Sequence, residues 1–291
     1  MTKTQQPSIG RYANILLDRW FKRTFGWAPA KRLMQLFLQE LIPERQIKEI
    51  SYGPQEHINP IDQNKDVRLD VDCYDADGKH FIVEVQLTEQ DTFYERAVFN
   101  SSFVIQEQVH RGSTDWGFAP IYFIGIVNFS IHKGSDQVLY RYRLKEIESG
   151  EVMTERLEYI FLEVPNCSRA MTKEATQLDN LCYVLRNISQ MDSRPEGLEG
   201  EIFDLLFNSA ELSKFAVKER KEYIKDMTTE RDIANQMAFA ERKGREQGIE
   251  QGISQEKQTI AQAMLAQGIS VSVVSACTGL SEEEVELLRV E

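Results

Sequence analysis

The chain has 291 residues, 42% hydrophobic and 27% charged, with a formal net charge of −12. That is globular material, long enough for one large domain or two smaller ones. The acidity argues against a generally basic nucleic-acid-binding coat while leaving room for a local positive cleft. Four scattered cysteines (Cys73, Cys167, Cys182 and Cys277) form no CxxC pair, which argues against a disulfide framework and a zinc cluster. Reduced cysteines, no signal-like leader and no apolar run near the ~18 residues that span a bilayer together predict a cytoplasmic protein.

Between Arg11 and Leu41, apolar residues recur at helical spacing (Ile15, Leu16, Trp20, then Leu33, Leu36, Phe37, Leu38 and Leu41) and "FGWAP" interrupts them. Two helices are expected, the first ending near Gly26. This stretch is locally basic through Arg11, Arg19, Lys22, Arg23, Lys31 and Arg32, a solvated helix surface or one wall of a positive cleft. Residues 46–52 suit a short strand.

The segment "DVRLDVDCYDADGKHFIVEVQ" (66–86) reads as a hairpin. Burial of one apolar face puts Val71 opposite Val83 and Leu69 opposite Val85, so paired positions add to 154. The same sum sets Asp70 opposite Glu84 and Arg68 opposite Gln86. An even sum requires a three-residue loop, Ala76-Asp77-Gly78, with Gly78 left-handed. Two carboxylates facing each other destabilise a sheet unless a cation lies between them. Hard oxygens suit Mg²⁺ or Mn²⁺, whose shell is completed by water and substrate phosphate. The plainer alternative is a solvent-facing acidic strand face, the reading given to Asp72; Asp75 and Asp77 read as turn formers.

Thr88 reads as the cap of a helix running to about His110, and "PIYFIGIVNF" (120–129), apolar on both faces, as a central strand. "QVLYRYRLKE" and "LEYIFLEV" add strands. Segments 171–190, 197–208 and 213–227 read as helices, followed by a long polar helix from Thr229 to about Gln267. That helix carries Gly244, Gly248 and Gly252 four residues apart, suited to close helix packing or to flexibility. Small helices broken at Gly268 and Gly279 have a helix-turn-helix cadence. Glu282, Glu283, Glu284 and Glu286 would repel phosphate there, which favours protein contact over DNA reading. His57, His80, His110 and His132 are scattered and read as ordinary surface or core residues. Gln106 and Gln108 could approach the cleft or simply face solvent. There is no GxSxG elbow and no Walker loop.

The succession of helix, strand, "RLDV…DGKHFIVEVQ" hairpin, helix and buried strand resembles the core of the PD-(D/E)XK nuclease superfamily. More closely, "LLDRWFKRTFG", "YERAVFNSSFVIQEQVHRG", "PIYFIGIVNF" and the C-terminal "GISVSVVSACTGLSEEEVELL" resemble the bacterial recombination-promoting nuclease and transposase family, in which E-x-Q stands where other members have E-x-K. The resemblance implies an α/β fold, a restriction-endonuclease-like αβββαβ core with a mixed sheet, followed by an all-helical C-terminal region. The expected divisions are residues 1–192, 193–227 and 228–291.

It further implies a Mg²⁺- or Mn²⁺-dependent DNA endonuclease of low sequence specificity, linked to recombination or mobile elements. Asp70 and Glu84 would bind metal with the Val85 backbone carbonyl, Gln86 would stand in the lysine's place, and Arg68 would contact substrate. Asp18 and Glu40 are candidates for a further acidic residue, and Lys79 or Arg68 for the missing cation. DNA is the expected partner, with self-assembly through the C-terminal helices. The competing expectation is an inactive nuclease-fold scaffold working through protein contacts.

Overall fold

The computed structural model describes residues 10–57, 67–109, 114–167 and 170–289. The chain divides into two compact units, one up to Tyr223 and one from Ile224 onward. Segment 1–192 and most of segment 193–227, distinguished in the sequence, therefore share one unit, while residues 224–227 lie in the other.

The first unit begins with α1 (Asp18–Phe25) and α2 (Lys31–Leu41), followed by β1 (Ile50–Tyr52), β2 (Glu56–His57), β3 (Val67–Arg68), β4 (Val71–Asp75) and β5 (His80–Gln86). Then come α3 (Phe93–Gln108), β6 (Ile121–Val127), β7 (Leu139–Tyr142), β8 (Leu157–Glu163), α4 (Gln177–Asn187) and α5 (Glu201–Ala210). Six strands form a mixed sheet in the order β1-β4-β5-β6-β8-β7, and β2 and β3 form a separate ribbon. β5, β6 and β8 run parallel, and β1, β4 and β7 are antiparallel to their neighbours. The αβββαβ succession is thus present, with the ribbon inserted before β4.

Every residue of β6 is buried, as expected for a parallel strand with helices on both faces. One face packs Val71, Cys73, Phe81, Val83, Tyr122 and Ile124 against α1, α2, α4 and α5. The other packs Ile82, Phe123 and Phe161 under Phe93, Ala97 and Val104 of α3. Gly125 of β6 lies at this second interface, where a Cβ would come within 2.8 Å of both Phe161 and Phe93.

The hairpin turns as its apolar pattern requires: Val71 pairs with Val83 and Tyr74 with His80, and Gly78 has φ +81°. Below Val71 the expected ladder stops. Asp70 lies in a bend and Arg68 pairs with Glu56 in the ribbon, so neither Asp70–Glu84 nor Arg68–Gln86 is a ladder pair. Val67 and Leu69 consequently join the α3-side core, whereas an unbroken strand would have put Leu69 beside Val85 on the opposite face. Asp72 and Asp75 are buried, which for Asp72 is another departure from the solvent-facing expectation. Asp72 hydrogen-bonds His80 and lies 3.6 Å from His57 Nε2. Asp75 Oδ1 accepts from the amides of Asp77 and Lys79 and holds the turn.

α1 starts at Asp18, not Arg11, and α3 at Phe93, not Thr88. Trp20 on α1 stacks on Phe215 and meets Tyr223 edge-on, which ties the helical segment to the sheet domain. α6 (Val217–Ala266) is one continuous 50-residue helix, where the sequence suggested a break near Thr229. The Thr228 and Thr229 hydroxyls donate to the Ile224 and Lys225 carbonyls one turn back, satisfying themselves without interrupting the helix.

In the second unit, α6 ends against α7 (Val271–Thr278) and α8 (Glu282–Leu287) around Ala261, Val274 and Val285. Gly268 and Gly279, at φ +79° and +72°, make the corners. Ser281 and Glu284 form a reciprocal capping box, so the acidic run of α8 occupies the helix end that favours negative charge. No described helix is long and apolar enough to cross a membrane.

Candidate functional site

The bend at Asp70 builds the site. The odd-numbered hairpin pairs are the hydrogen-bonded ones, as the Asp75 amide donating to the Lys79 carbonyl shows. A continued ladder would therefore have joined Leu69 and Val85 through two amide–carbonyl bonds. Instead, the Leu69 amide donates to the Gln55 carbonyl, and the Val85 amide donates to Asp70 Oδ2 at 2.8 Å. The Asp70 carboxylate has replaced a main-chain carbonyl, and the Val85 carbonyl, on the same strand edge, loses its ladder donor.

A cleft of about 660 Å³ opens here, lined by Asp18, Arg19 and Lys22 of α1, Arg68, Asp70, residues 84–87 and Arg96 of α3. Asp70 and Glu84 are only 8% and 4% exposed. Lys22 Nζ lies 3.0 Å from Asp70 Oδ1 and 2.7 Å from Asp18 Oδ1. Asp18 and Lys22 are one helical turn apart, so a single face of α1 delivers both. Arg96 Nη2 lies 3.6 Å from Glu84 Oε2, and Arg96 also hydrogen-bonds Gln86. Glu84 Oε1 is buried without a hydrogen-bond partner.

The electrostatics follow from this crowding. Burial, reinforced by the negative charge of Asp70, pushes the Glu84 carboxyl up to about 8. Burial and a hydrogen bond shared with Asp18 raise Asp70, against the opposing pull of the Val85 amide and Lys22. Asp18 moves the other way: its burial is outweighed by hydrogen bonds with Asp70 and Lys22. Lys22 is held in its charged form by both acids despite desolvation. The cleft thus contains more anionic capacity than it can ionise unaided.

Two family models match the chain: PD-(D/E)XK nuclease family transposase over residues 15–240, and the C-terminal HTH domain of the Rpn/YhgA-like nuclease family over residues 254–290. The chain belongs to the PD-(D/E)XK nuclease family transposases. It is thereby a nuclease-family protein associated with mobile elements, and both matches point to DNA as partner. Searches of curated proteins and of solved structures returned no match.

Of the residues singled out in the transposase-family sequence, Asp70, Glu84, Val85, Gln86 and Arg68 all line the cleft, as does Asp18. Arg68 gets there from the ribbon, with its guanidinium 3.7 Å from Glu56. Glu40 is absent from the cleft lining, and Lys79 is bound to Asp75 and Asp77 at the turn. Gln108 accepts from the Ala119 amide, outside the cleft, and His110 lies outside the described residues. In the sequence Lys22 is one basic residue among six, and no local pattern marks Arg96. The i,i+4 Asp18–Lys22 spacing was the available signal. Most of the other N-terminal cations are occupied by acids of the helical segment: Arg11 with Glu211, Arg19 with Glu222, Arg23 with Glu219 and Arg32 with Glu201.

Among the described residues, no group of three His, Cys, Asp or Glu side chains is arranged to hold a metal. Two carboxylates and a main-chain carbonyl nevertheless fit Mg²⁺ or Mn²⁺, which take few protein ligands and fill the shell with water and phosphate. The orphaned Glu84 oxygen is the observation that favours this fit.

Proposed function

We propose that the chain is a Mg²⁺- or Mn²⁺-dependent DNA endonuclease of low sequence specificity, with Asp70, Glu84 and the Val85 carbonyl as metal ligands. Bound there, the metal would polarise a phosphodiester oxygen and lower the pKa of an attacking water. The chain supplies the rest. The Lys22 ammonium, anchored by Asp18, provides the positive charge that the E-x-Q motif lacks and stabilises charge developing on phosphate. Gln86 orients water or a phosphate oxygen through its amide, itself held by Arg96. Arg68 at the rim grips the DNA backbone, a contact that carries no sequence information. The observation that carries the reading is Lys22 meeting Asp70 in a cleft where Glu84 is buried with one oxygen unpaired.

The test is nicking of supercoiled plasmid in Mg²⁺ or Mn²⁺. Asp70→Ala and Glu84→Ala are expected to abolish it and Lys22→Ala to slow it about 10²- to 10³-fold, the cost of losing one electrostatic stabiliser. Folded wild-type protein that nicks in neither metal would favour the scaffold reading.

A further inference from the structure

A second concavity lies on the same sheet face as Glu84, about two strands away. It has a volume of about 260 Å³ and is lined by Tyr94 and Val98 of α3 with Tyr142, Tyr159 and Phe161 of the sheet. Four of its five lining residues are aromatic, and Tyr94 and Tyr142 are each more than a third exposed. A space this small suits one flat ring system, since drug-sized ligands occupy pockets of ~300–1,000 Å³.

Its position is fixed by register. Glu84 pairs with Gly125, and Gly125 with Phe161, so the three share one row and one face. At ~4.8 Å per strand, Phe161 is about 10 Å from Glu84 across the sheet. Gly125 lies between them in the row, and Phe93 of α3 packs over it. The first turns of α3 face both ways: Arg96 lines the acidic cleft and Tyr94 lines the aromatic pocket.

The aromatic wall is braced from behind. Buried Glu163 accepts hydrogen bonds from the Ile131 and His132 amides, from Asn166 Nδ2 and from His132 Nδ1. His132 stacks on Tyr140 with ring centroids 3.6 Å apart. Its Nε2 hydrogen-bonds the Tyr142 hydroxyl at 2.7 Å, and the Tyr142 oxygen lies 3.2 Å from the Tyr94 hydroxyl. This chain holds two partly exposed rings in place, so a ligand stacking on them need not order them first.

We propose that the aromatic pocket receives one unstacked base of a DNA strand whose backbone lies in the acidic cleft. This rests on the nuclease reading of that cleft. The row shared with Glu84 and the first turns of α3 that line both sites select this occupant, since a strand crossing ~10 Å advances one to three nucleotides at ~3.4 Å or more each. Stacking on aromatic faces accepts any base, in keeping with cutting of low sequence specificity.

The test uses the full-length protein and fluorescence anisotropy with Ca²⁺ in place of Mg²⁺, comparing oligo(dT) with an abasic strand of equal length. Wild type is expected to prefer oligo(dT). Tyr94→Leu and Tyr142→Leu are each expected to weaken oligo(dT) binding about 5- to 150-fold and to leave abasic binding unchanged. Tyr142→Phe, which keeps the ring, is expected to retain the preference. Tyr142 is on the edge strand, so its variants serve even where Tyr94→Leu loosens α3; circular dichroism checks folding. Equal wild-type binding of both strands, or leucine variants that bind oligo(dT) as wild type does, overturns the pocket assignment while plasmid nicking still stands. A leucine variant that changes only the mass seen by light scattering assigns the patch to a second copy and also overturns it. Protein that neither binds nor nicks DNA removes both readings.

Discussion

Replacing Glu84 by glutamine should stabilise the protein in chelator and destroy its response to metal. The Glu84 carboxyl stands at about 8 against an ordinary 4.5, because burial and the Asp70 charge disfavour ionisation. The folded state therefore binds a proton that the unfolded chain has released at neutral pH. For an acid raised in this way, stability is fully present below pH 4.5 and falls as pH climbs toward 8. At pH 7 the loss amounts to about 3 kcal/mol, at ~1.4 kcal/mol per pH unit. Glutamine removes that loss and reintroduces a buried amide donor costing about 1 kcal/mol. The net gain is about 2 kcal/mol, or ~4–8 °C in the melting temperature of a unit this size.

The assay is thermal unfolding of wild type and Glu84→Gln in EDTA at pH 6, 7 and 8. The advantage of the variant should widen with each step, because only wild type carries the slope. Added Mn²⁺ should raise wild type by about 2.7 kcal/mol at a hundred times its Kd and leave the variant unmoved. A variant that melts below wild type at every pH, or that gains as much from Mn²⁺, would refute the claim that Glu84 is a strained acid awaiting a cation.

The His57 imidazole is lifted to about 9, chiefly by the Asp72 carboxylate 3.6 Å away and helped by its hydrogen bond with Glu107, against the cost of burial. It should contribute stability in full below pH 6.5 and lose it as pH passes 9; histidine NMR should show one ring titrating near 9, returning toward 6.5 in Asp72→Asn. Gly125→Ala should cost about 1–3 kcal/mol in denaturant unfolding, because its methyl would meet Phe161 and Phe93 at 2.8 Å. A Cβ on Gly244, Gly248 or Gly252 meets nothing within 4 Å, so in an isolated chain each Ala substitution should strengthen α6 by about 1 kcal/mol. If copies of the chain pack there, the triple substitution should instead lower the mass seen by light scattering.

What could be read from the sequence was whatever depends on neighbours along one chain or across one hairpin. Val71 opposite Val83 and the left-handed Gly78 follow from period-two burial and loop arithmetic alone, and the all-buried β6 follows from its composition. What escaped needed partners from distant elements. The break at Asp70 depends on the Gln55 carbonyl capturing the Leu69 amide. The burial of Asp72 depends on His57 arriving from the ribbon, and β4 cannot announce that. The continuity of α6 turned on two threonines bonding backward, where polarity alone suggested a boundary.

The same distinction bears on the glutamine of the E-x-Q motif. A lysine at that position would bring its cation from the motif strand, two residues beyond Glu84. Here α1 brings Lys22 to Asp70 from 48 residues away in sequence and brings Asp18 to hold it. This division has a physical consequence: the charge that a motif lysine would fix to the sheet is tied to the packing of α1, through Trp20 on Phe215 and Tyr223. Loosening that aromatic contact, as Trp20→Leu would, should therefore reduce nicking more than it reduces binding of metal at Asp70 and Glu84. Equal loss of both would mean that the helix merely supports the fold.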